Sequence, residues 1–151
     1  MTASDKKSVC VVIPVFEDKT AVKRLLEDIA KIQDFSLRAV VIDDGSIREP
    51  LSPSDVKTKS LEIELVSLTR NLGHQRAIAI GLSRARKTGD ADAIVVMDGD
   101  GEDRPQDIPA LIRDVIDGKC DIAVAERGSR HDGPAFKLFH ALFRILFWCL
   151  T

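Results

Sequence analysis

The chain lacks most of what would mark it for a membrane span, an oxidising compartment or a nucleic acid partner. No stretch of about 18 uncharged apolar residues occurs, so no helix is expected to cross a bilayer unaided. The N terminus, MTASDKKSVC, has no long apolar segment, so no signal peptide is expected. The three cysteines, Cys10, Cys120 and Cys149, form no C-x-x-C pair, which gives neither a disulfide framework nor a zinc knuckle. A reducing compartment fits that usage. The formal net charge of −2 leaves no global basic footprint for nucleic acid. Repeats and low-complexity tracts are absent. Two glycine patterns are missing as well. No G-x-x-x-x-G-K-[ST] exists, which excludes a P-loop ATPase, and no G-x-G-x-x-G follows the first apolar run, which argues against a dinucleotide Rossmann site.

What is present suffices for one domain with a real core: 151 residues, 44% hydrophobic and 30% charged. "SVCVVIPVF" (8–16) and "LRAVVID" (37–43) are apolar, β-branched runs that predict strands buried on both faces. "LEIELVSL" (61–68) alternates, as a strand nearer an edge would. "ADAIVVMD" (91–98) and "CDIAVAE" (120–126) predict a fourth and a fifth strand. Helical spacing of Val22, Leu25, Leu26, Ile29 and Ile32 predicts a helix over 19–33. Further helices are predicted over 73–89, 105–118 and 135–150. Pro105 and Pro109 leave the start of the third one open, since both cannot occupy the first helical position. Residues 47–60 read as a loop with a turn started by Ser52-Pro53. Gly73 and Gly81 read as residues that allow close helix packing, His74 as a capping or packing residue, and Cys10 as core.

Strands alternating with helices predict an α/β fold, a mostly parallel sheet covered on both faces. Ligands of such sheets bind beyond the carboxyl ends of the strands. Those ends carry Glu17, Asp43, Asp44, Asp98, Asp100, Arg127 and Arg130. Asp98, Asp100 and Glu102 fall at every second position after an apolar strand, and like charges so close call for a positive partner. Hard oxygen ligands in this arrangement suit Mg²⁺ or Mn²⁺, which also takes phosphate oxygens. The arginines after the fifth strand suit further phosphate charge. An EF-hand does not fit: counted from Asp98, its glycine position holds Asp103 and its twelfth position Pro109. A phosphate-accepting receiver domain is a better rival. It leaves the "GDGED" run without a role, however, and here a full strand and helix precede the acid pair.

Five stretches in order carry a family resemblance: "VVIPVFED" (11–18), "VVIDDGS" (40–46), "RNLGHQRAI" (70–78), "MDGDGEDRPQDIP" (97–109) and "AERGSR" (125–130). Together they resemble the family 2 glycosyltransferases of GT-A fold, most of all the polyprenyl-phosphate branch that includes dolichol-phosphate mannose synthases. The resemblance implies a nucleotide-sugar-binding catalytic domain over 1–134. It implies Pro14, Phe16 and Glu17 in the nucleoside pocket, Asp43 accepting from the base with Asp44 in support, and Arg70 and Asn71 holding the loop beside the nucleotide. Asp98, Gly99 and Asp100 become the D-x-D stretch beside the donor. Asp98, Asp100 and Glu102 become the metal ligands, with Asp100 also catalytic. Arg127, Arg130 and Lys137 become the basic positions that meet the acceptor phosphate.

The implied activity is metal-dependent inverting transfer of a sugar from a UDP- or GDP-linked donor to a polyprenyl phosphate. The alternatives within the family are a relative that binds nucleotide-sugar without turnover and a transferase with a soluble saccharide acceptor. Five of the seven aromatics lie in the last sixteen residues. There "AFKLFHALFRILFWCL" (135–150) is apolar nearly all round, with Lys137, His140 and Arg144 on one narrow stripe. Sixteen residues of helix span roughly 24 Å, short of the ~30 Å hydrocarbon core, so the segment is expected to lie in the interface. The other readings dock it on the sheet or on a second copy of the chain. Residues 135–151 are accordingly expected to begin a membrane-associated part that is truncated here, and the protein to sit peripherally at the cytoplasmic face of a membrane.

Overall fold

The structure, a computed structural model, describes residues 6–87 and 91–125. Its centre is a parallel sheet of β1 (Ser8–Val15), β2 (Ser36–Asp43), β3 (Glu62–Ser67) and β4 (Ala93–Val96), in spatial order β3-β2-β1-β4. β1 pairs with β2 from Ser8↔Ser36 to Val15↔Asp43, and with β4 from Val9↔Ala93 to Val12↔Val96. From Val9 to Val15 every residue of β1 is buried, because helices cover both faces of the sheet. β3 is an edge strand, as its alternating pattern predicts, and its residues are exposed or half-buried.

On one face lie α1 (Lys19–Ile29) and α3 (Ile108–Ile116). They enclose Val9, Val11, Ile13, Val41, Val95 and Met97. α1 begins where Asp18 accepts a hydrogen bond from the Ala21 amide at 3.2 Å, an N-cap for one of the orphan donors of the first turn. It ends at Ile29 rather than Gln33, and Ile32 reaches the core from the turn that follows. Each of the two prolines opens its own helix: Pro105 starts a 3₁₀ turn, Pro105–Asp107, and Pro109 sits in the first turn of α3. The loop 47–60 makes its predicted turn, with the Asp55 amide donating to the Ser52 carbonyl at 2.9 Å. Asp55 also pins this loop to α1 through Lys19 and Lys23, at 2.9 and 2.7 Å.

On the other face lies α2 (His74–Lys87), over Cys10, Val12, Val40 and Ile42. Its buried stripe is Ala77, Gly81 and Ala85, small residues one turn apart, so the helix axis lies close to the sheet. A Cβ at Gly81 would sit 2.3 Å from Val12 Cγ1. Gly73 differs from its expected role. Nothing lies within 4 Å of a Cβ there, and its φ of +91° shows that it serves the turn into α2, not helix packing.

The fifth strand predicted over 120–126 does not form in its described part, residues 120–125. Ile122 and Val124 are 79% and 82% exposed. A strand exists only when its backbone groups are paired, and no described strand pairs with this segment. Its apolar alternation therefore has no surface to bury. Residues 126–151, with the predicted helix over 135–150, lie outside the described residues. Among the described residues no helix is long and apolar enough to cross a membrane.

Gly81→Ala tests the close approach of α2. Alanine favours helix by about 1 kcal/mol over glycine, but the added methyl meets a stiff, fully buried valine on β1. Overpacking of this kind costs about 1–3 kcal/mol, so a net destabilisation of up to about 2 kcal/mol is expected. A urea midpoint equal to or above that of the wild type would contradict the packing described.

Candidate functional site

In spatial order β3-β2-β1-β4 the chain leaves β1 for β2 and β3 on one side, then returns to place β4 on the other. The carboxyl ends of β1 and β4 therefore flank the point where the strand order reverses, and a crevice opens there by topology alone. A cleft of about 210 Å³ occupies that point, lined by Pro14, Val15, Phe16, Asp18, His74, Asp98, Gly99 and Asp100. Gly99 is required for its shape: a Cβ there would lie 2.8 Å from the Pro14 carbonyl oxygen and 2.9 Å from Val15 Cγ2. Pro14 is buried, and Phe16, half exposed, forms part of the wall.

Beside the cleft, three carboxylates hold the loops that leave the strands. Asp44 is buried and accepts the Leu72 amide on Oδ1 at 2.8 Å and the Gly73 amide on Oδ2 at 2.9 Å. It thereby fixes the lead-in to α2. Asp43 is also buried and accepts the Ser46 amide at 3.0 Å and the Leu51 amide at 2.9 Å. Glu17 holds a left-handed backbone, φ 54°, and its carboxylate gathers the amides of Ile47, Arg48 and Glu49 at 2.8 to 3.2 Å. These amide bonds, the Ile47 bond first, hold its carboxyl below the usual carboxylate range, assisted by the nearby Arg48 guanidinium. Gly45, φ 73°, completes the arrangement. A Cβ there would lie 2.4 Å from the Arg70 carbonyl carbon and 2.5 Å from the Asn71 nitrogen, so the 70–71 backbone passes directly over it.

The structure thus divides the expected site residues into groups. Pro14, Phe16, Asp98, Gly99 and Asp100 share one cleft. Glu17, Asp43 and Asp44 turn their carboxylates to backbone amides beside it, and Arg70 and Asn71 are exposed on the loop that Gly45 and Asp44 secure. Glu102 is exposed and outside the lining; its amide donates to Asp100 Oδ1 at 2.9 Å. Arg127, Arg130 and Lys137 lie outside the described residues.

Three residues of the lining, Val15, Asp18 and His74, were not read as site residues from the sequence. Asp18 caps α1 and also faces the cleft. His74, the first residue of α2, brings Nε2 to 3.4 Å from Asp98 Oδ1. Outside the lining, Asp103 accepts the Asp98 amide at 3.1 Å and so closes the turn after β4. The signal for His74 lay in its position directly after the "NLG" turn, on the same end of the sheet as the acids.

Among the described residues, no three His, Cys, Asp or Glu side chains converge as a ready-made cation cage. What the cleft offers is two neighbouring carboxylates, Asp98 and Asp100, open to solvent. That donor set fits a cation such as Mg²⁺, which is commonly held by one or two carboxylates together with substrate phosphates and water.

A parallel α/β sheet with a cleft at its switch point defines the doubly wound class of ligand-binding folds, and comparison with known proteins gives the family. Residues 10–148 match Glycosyl transferase family 2, and the chain belongs to that family. It is 31% identical over 144 residues to a dodecaprenyl-phosphate galacturonate synthase of Rhizobium johnstonii, covering 92% of this chain and 40% of that protein. It is 30% identical over 152 residues to an undecaprenyl-phosphate 4-deoxy-4-formamido-L-arabinose transferase of Proteus mirabilis, covering 89% of this chain and 42% of the relative. The chain thus spans about two fifths of the length of these curated relatives. Among solved structures, S. aureus TarS 1-349 superposes with a TM-score of 0.53 at 23% identity, over 70% of this chain and 32% of TarS. The mannosyltransferase PcManGT of Pyrobaculum calidifontis, solved with GDP-Man and Mn²⁺, gives 0.50 at 24% identity, over 61% of this chain and 27% of its own. These likenesses show the fold, which is GT-A as the resemblance implies.

The clamps make two predictions. Asp44→Ala leaves two amides of the 72–73 turn without their acceptor. Each unsatisfied buried group costs about 1–3 kcal/mol, so a loss of about 2–4 kcal/mol is expected in chemical denaturation. A loss below about 0.5 kcal/mol would show that the clamp is dispensable. Glu17 has a folded pKa below its unfolded one, so its contribution is complete above the ordinary carboxylate range and is lost as pH falls through the folded value. Glu17→Gln should therefore flatten the decline of stability on the acid side of about pH 4. Parallel acid profiles for the two proteins would rule out a clamp that depends on charge.

Proposed function

We propose that this chain is the donor-binding part of a glycosyltransferase that moves a sugar from a nucleoside diphosphate carrier to a polyprenyl phosphate. The observation that carries the reading is the cleft at the switch point, with Asp98 and Asp100 on one wall and the Pro14–Phe16 strand end on the other. The names of the R. johnstonii and P. mirabilis relatives, both polyprenyl-phosphate sugar transferases, support the acceptor class.

On this reading the nucleoside lies over the β1 and β2 ends, beside Phe16 and the loops held by Glu17, Asp43 and Asp44. Arg70 and Asn71 border it. The diphosphate enters the cleft, where Asp98 and Asp100, with Glu102 adding negative charge nearby, would hold Mg²⁺ or Mn²⁺. That ion would supply charge stabilisation for the leaving diphosphate. The PcManGT complex, which contains GDP-Man and Mn²⁺, supports the choice of donor and ion class.

The acceptor phosphate oxygen attacks the anomeric carbon as the bond from that carbon to the diphosphate oxygen breaks. The nucleoside diphosphate leaves, and the configuration inverts. A phosphate monoester is largely ionised near neutral pH, since its second pKa is about 6, so no general base is required. Arg127, Arg130 and Lys137 are proposed to receive the acceptor phosphate, and the apolar segment 135–150 to keep the chain peripheral at the cytoplasmic face of the membrane.

The test is thermal unfolding with UDP and GDP, each with and without Mn²⁺. Saturation at 100 times Kd adds about 2.7 kcal/mol, a shift of several degrees. The expected outcome is a shift that needs both the cation and one of the two nucleotides. Asp100→Asn should fold normally and lose that combined shift. An undiminished shift in this variant would sink the assignment of the ion to the acid pair, and no shift from any combination would sink the donor site.

A further inference from the structure

The cleft brings together three carboxylates, those of Asp18, Asp98 and Asp100. Of the side chains lining it, His74 alone can carry positive charge. Its Nε2 lies 3.4 Å from Asp98 Oδ1, while both side chains stay partly open to solvent, at 51% and 38% exposure. Neutral imidazole in its Nε2–H tautomer and imidazolium both present a donor there, so the contact does not require one protonation state.

The backbone that carries the imidazole is held at several points. His74 is the first residue of α2, Gly73 turns the chain into that helix at φ +91°, and the Asp44 carboxylate holds the Leu72 and Gly73 amides. Below, Gly81 seats the helix against Val12. Asp98 is restrained from the other side as well, through its amide on Asp103. The first residue of a helix therefore reaches one oxygen of a carboxylate in the turn that follows β4.

We infer that His74 is the positioning residue of the acid pair: it fixes the orientation of Asp98 and so prepares the cleft for a divalent cation carried by a nucleoside diphosphate. The inference rests on the proposed donor site and deepens it. Donors that orient a carboxylate ligand sharpen ion binding, and their removal commonly costs 10- to 100-fold in metal affinity. His74 also places a donor among carboxylates that would otherwise repel one another before the cation arrives.

The experiment measures GDP and UDP affinity by calorimetry in the absence and presence of Mn²⁺, for the wild type, His74→Ala, His74→Gln, Asp98→Asn and the double variant H74A/D98N. The readout is the factor by which Mn²⁺ strengthens nucleotide binding. His74→Ala should reduce that factor about tenfold while leaving the unliganded Tm near wild type. His74→Gln, which keeps a donor at similar reach, should recover most of it. In the Asp98→Asn background the His74→Ala change should have no further effect, because the residue acts through that carboxylate. A Mn²⁺ factor unchanged by His74→Ala, or an additive double variant, overturns the role of His74 while leaving the donor site standing. Absence of any Mn²⁺ effect in the wild type overturns both.

Discussion

The structure depends on one constraint, that backbone amides at the carboxyl ends of a parallel sheet must find acceptors as the chain leaves the strands. Inside the sheet the ladders satisfy them. Beyond it, this chain uses carboxylates: Asp43 for Ser46 and Leu51, Asp44 for Leu72 and Gly73, Glu17 for Ile47, Arg48 and Glu49, Asp103 for Asp98. A carboxylate accepts two or more such bonds at once, and bonds to a charged acceptor are stronger than neutral ones. The result is a set of loops held in place around an open cleft, the longest of which also sends Leu51 and Val56 into the core.

This accounting changes the meaning of the acid-rich strand ends. Read as letters, Glu17, Asp43, Asp44, Asp98 and Asp100 form one negative cluster awaiting a cation. In the fold they separate into two populations. Three are occupied by amides and carry their charge into hydrogen bonds beside the cleft. Two, Asp98 and Asp100, face the cleft with Asp18 and His74, and Asp100 also accepts the Glu102 amide on one oxygen. The positive partner that the crowded acids call for is therefore mostly the N–H dipoles of the backbone, with one imidazole where a side chain is needed.

The fold was legible from local patterns wherever burial decided structure. The largely apolar β1 and β2, the alternating edge strand β3 and the faces of α1 and α3 follow from periodicity, because two covered faces leave no other arrangement for such runs. The strand expected over 120–126 shows the limit of that reasoning. Alternation in "CDIAVAE" states a preference for extended chain, and only a paired neighbour converts preference into structure. The cleft was legible in its position at the strand ends and in the acids that follow β4, which line it. Which acids serve amides was not, since that depends on loops separated by about 30 residues in sequence, as in Asp44 with Leu72 and Gly73. His74 was hidden for the same reason: its partner Asp98 lies in the turn after β4, and only the return of the chain to that strand brings them together.

The division of labour among the acids also bears on how a donor would be recognised. A complete protein cage would hold a cation whether or not a nucleotide were present. Here the acids that could complete one are committed to loops, and among the described residues no three such ligands converge. Two carboxylates alone bind a dication weakly in water, and a free diphosphate is repelled by them. Each becomes a good partner for the cleft only in the company of the other, because the cation cancels the repulsion and the phosphates complete its coordination. Linkage makes this mutual: whatever factor the cation contributes to nucleotide affinity, the nucleotide contributes to cation affinity. On the proposed reading, the clamps that withdraw Glu17, Asp43 and Asp44 from the cleft are what make binding of the donor a joint event.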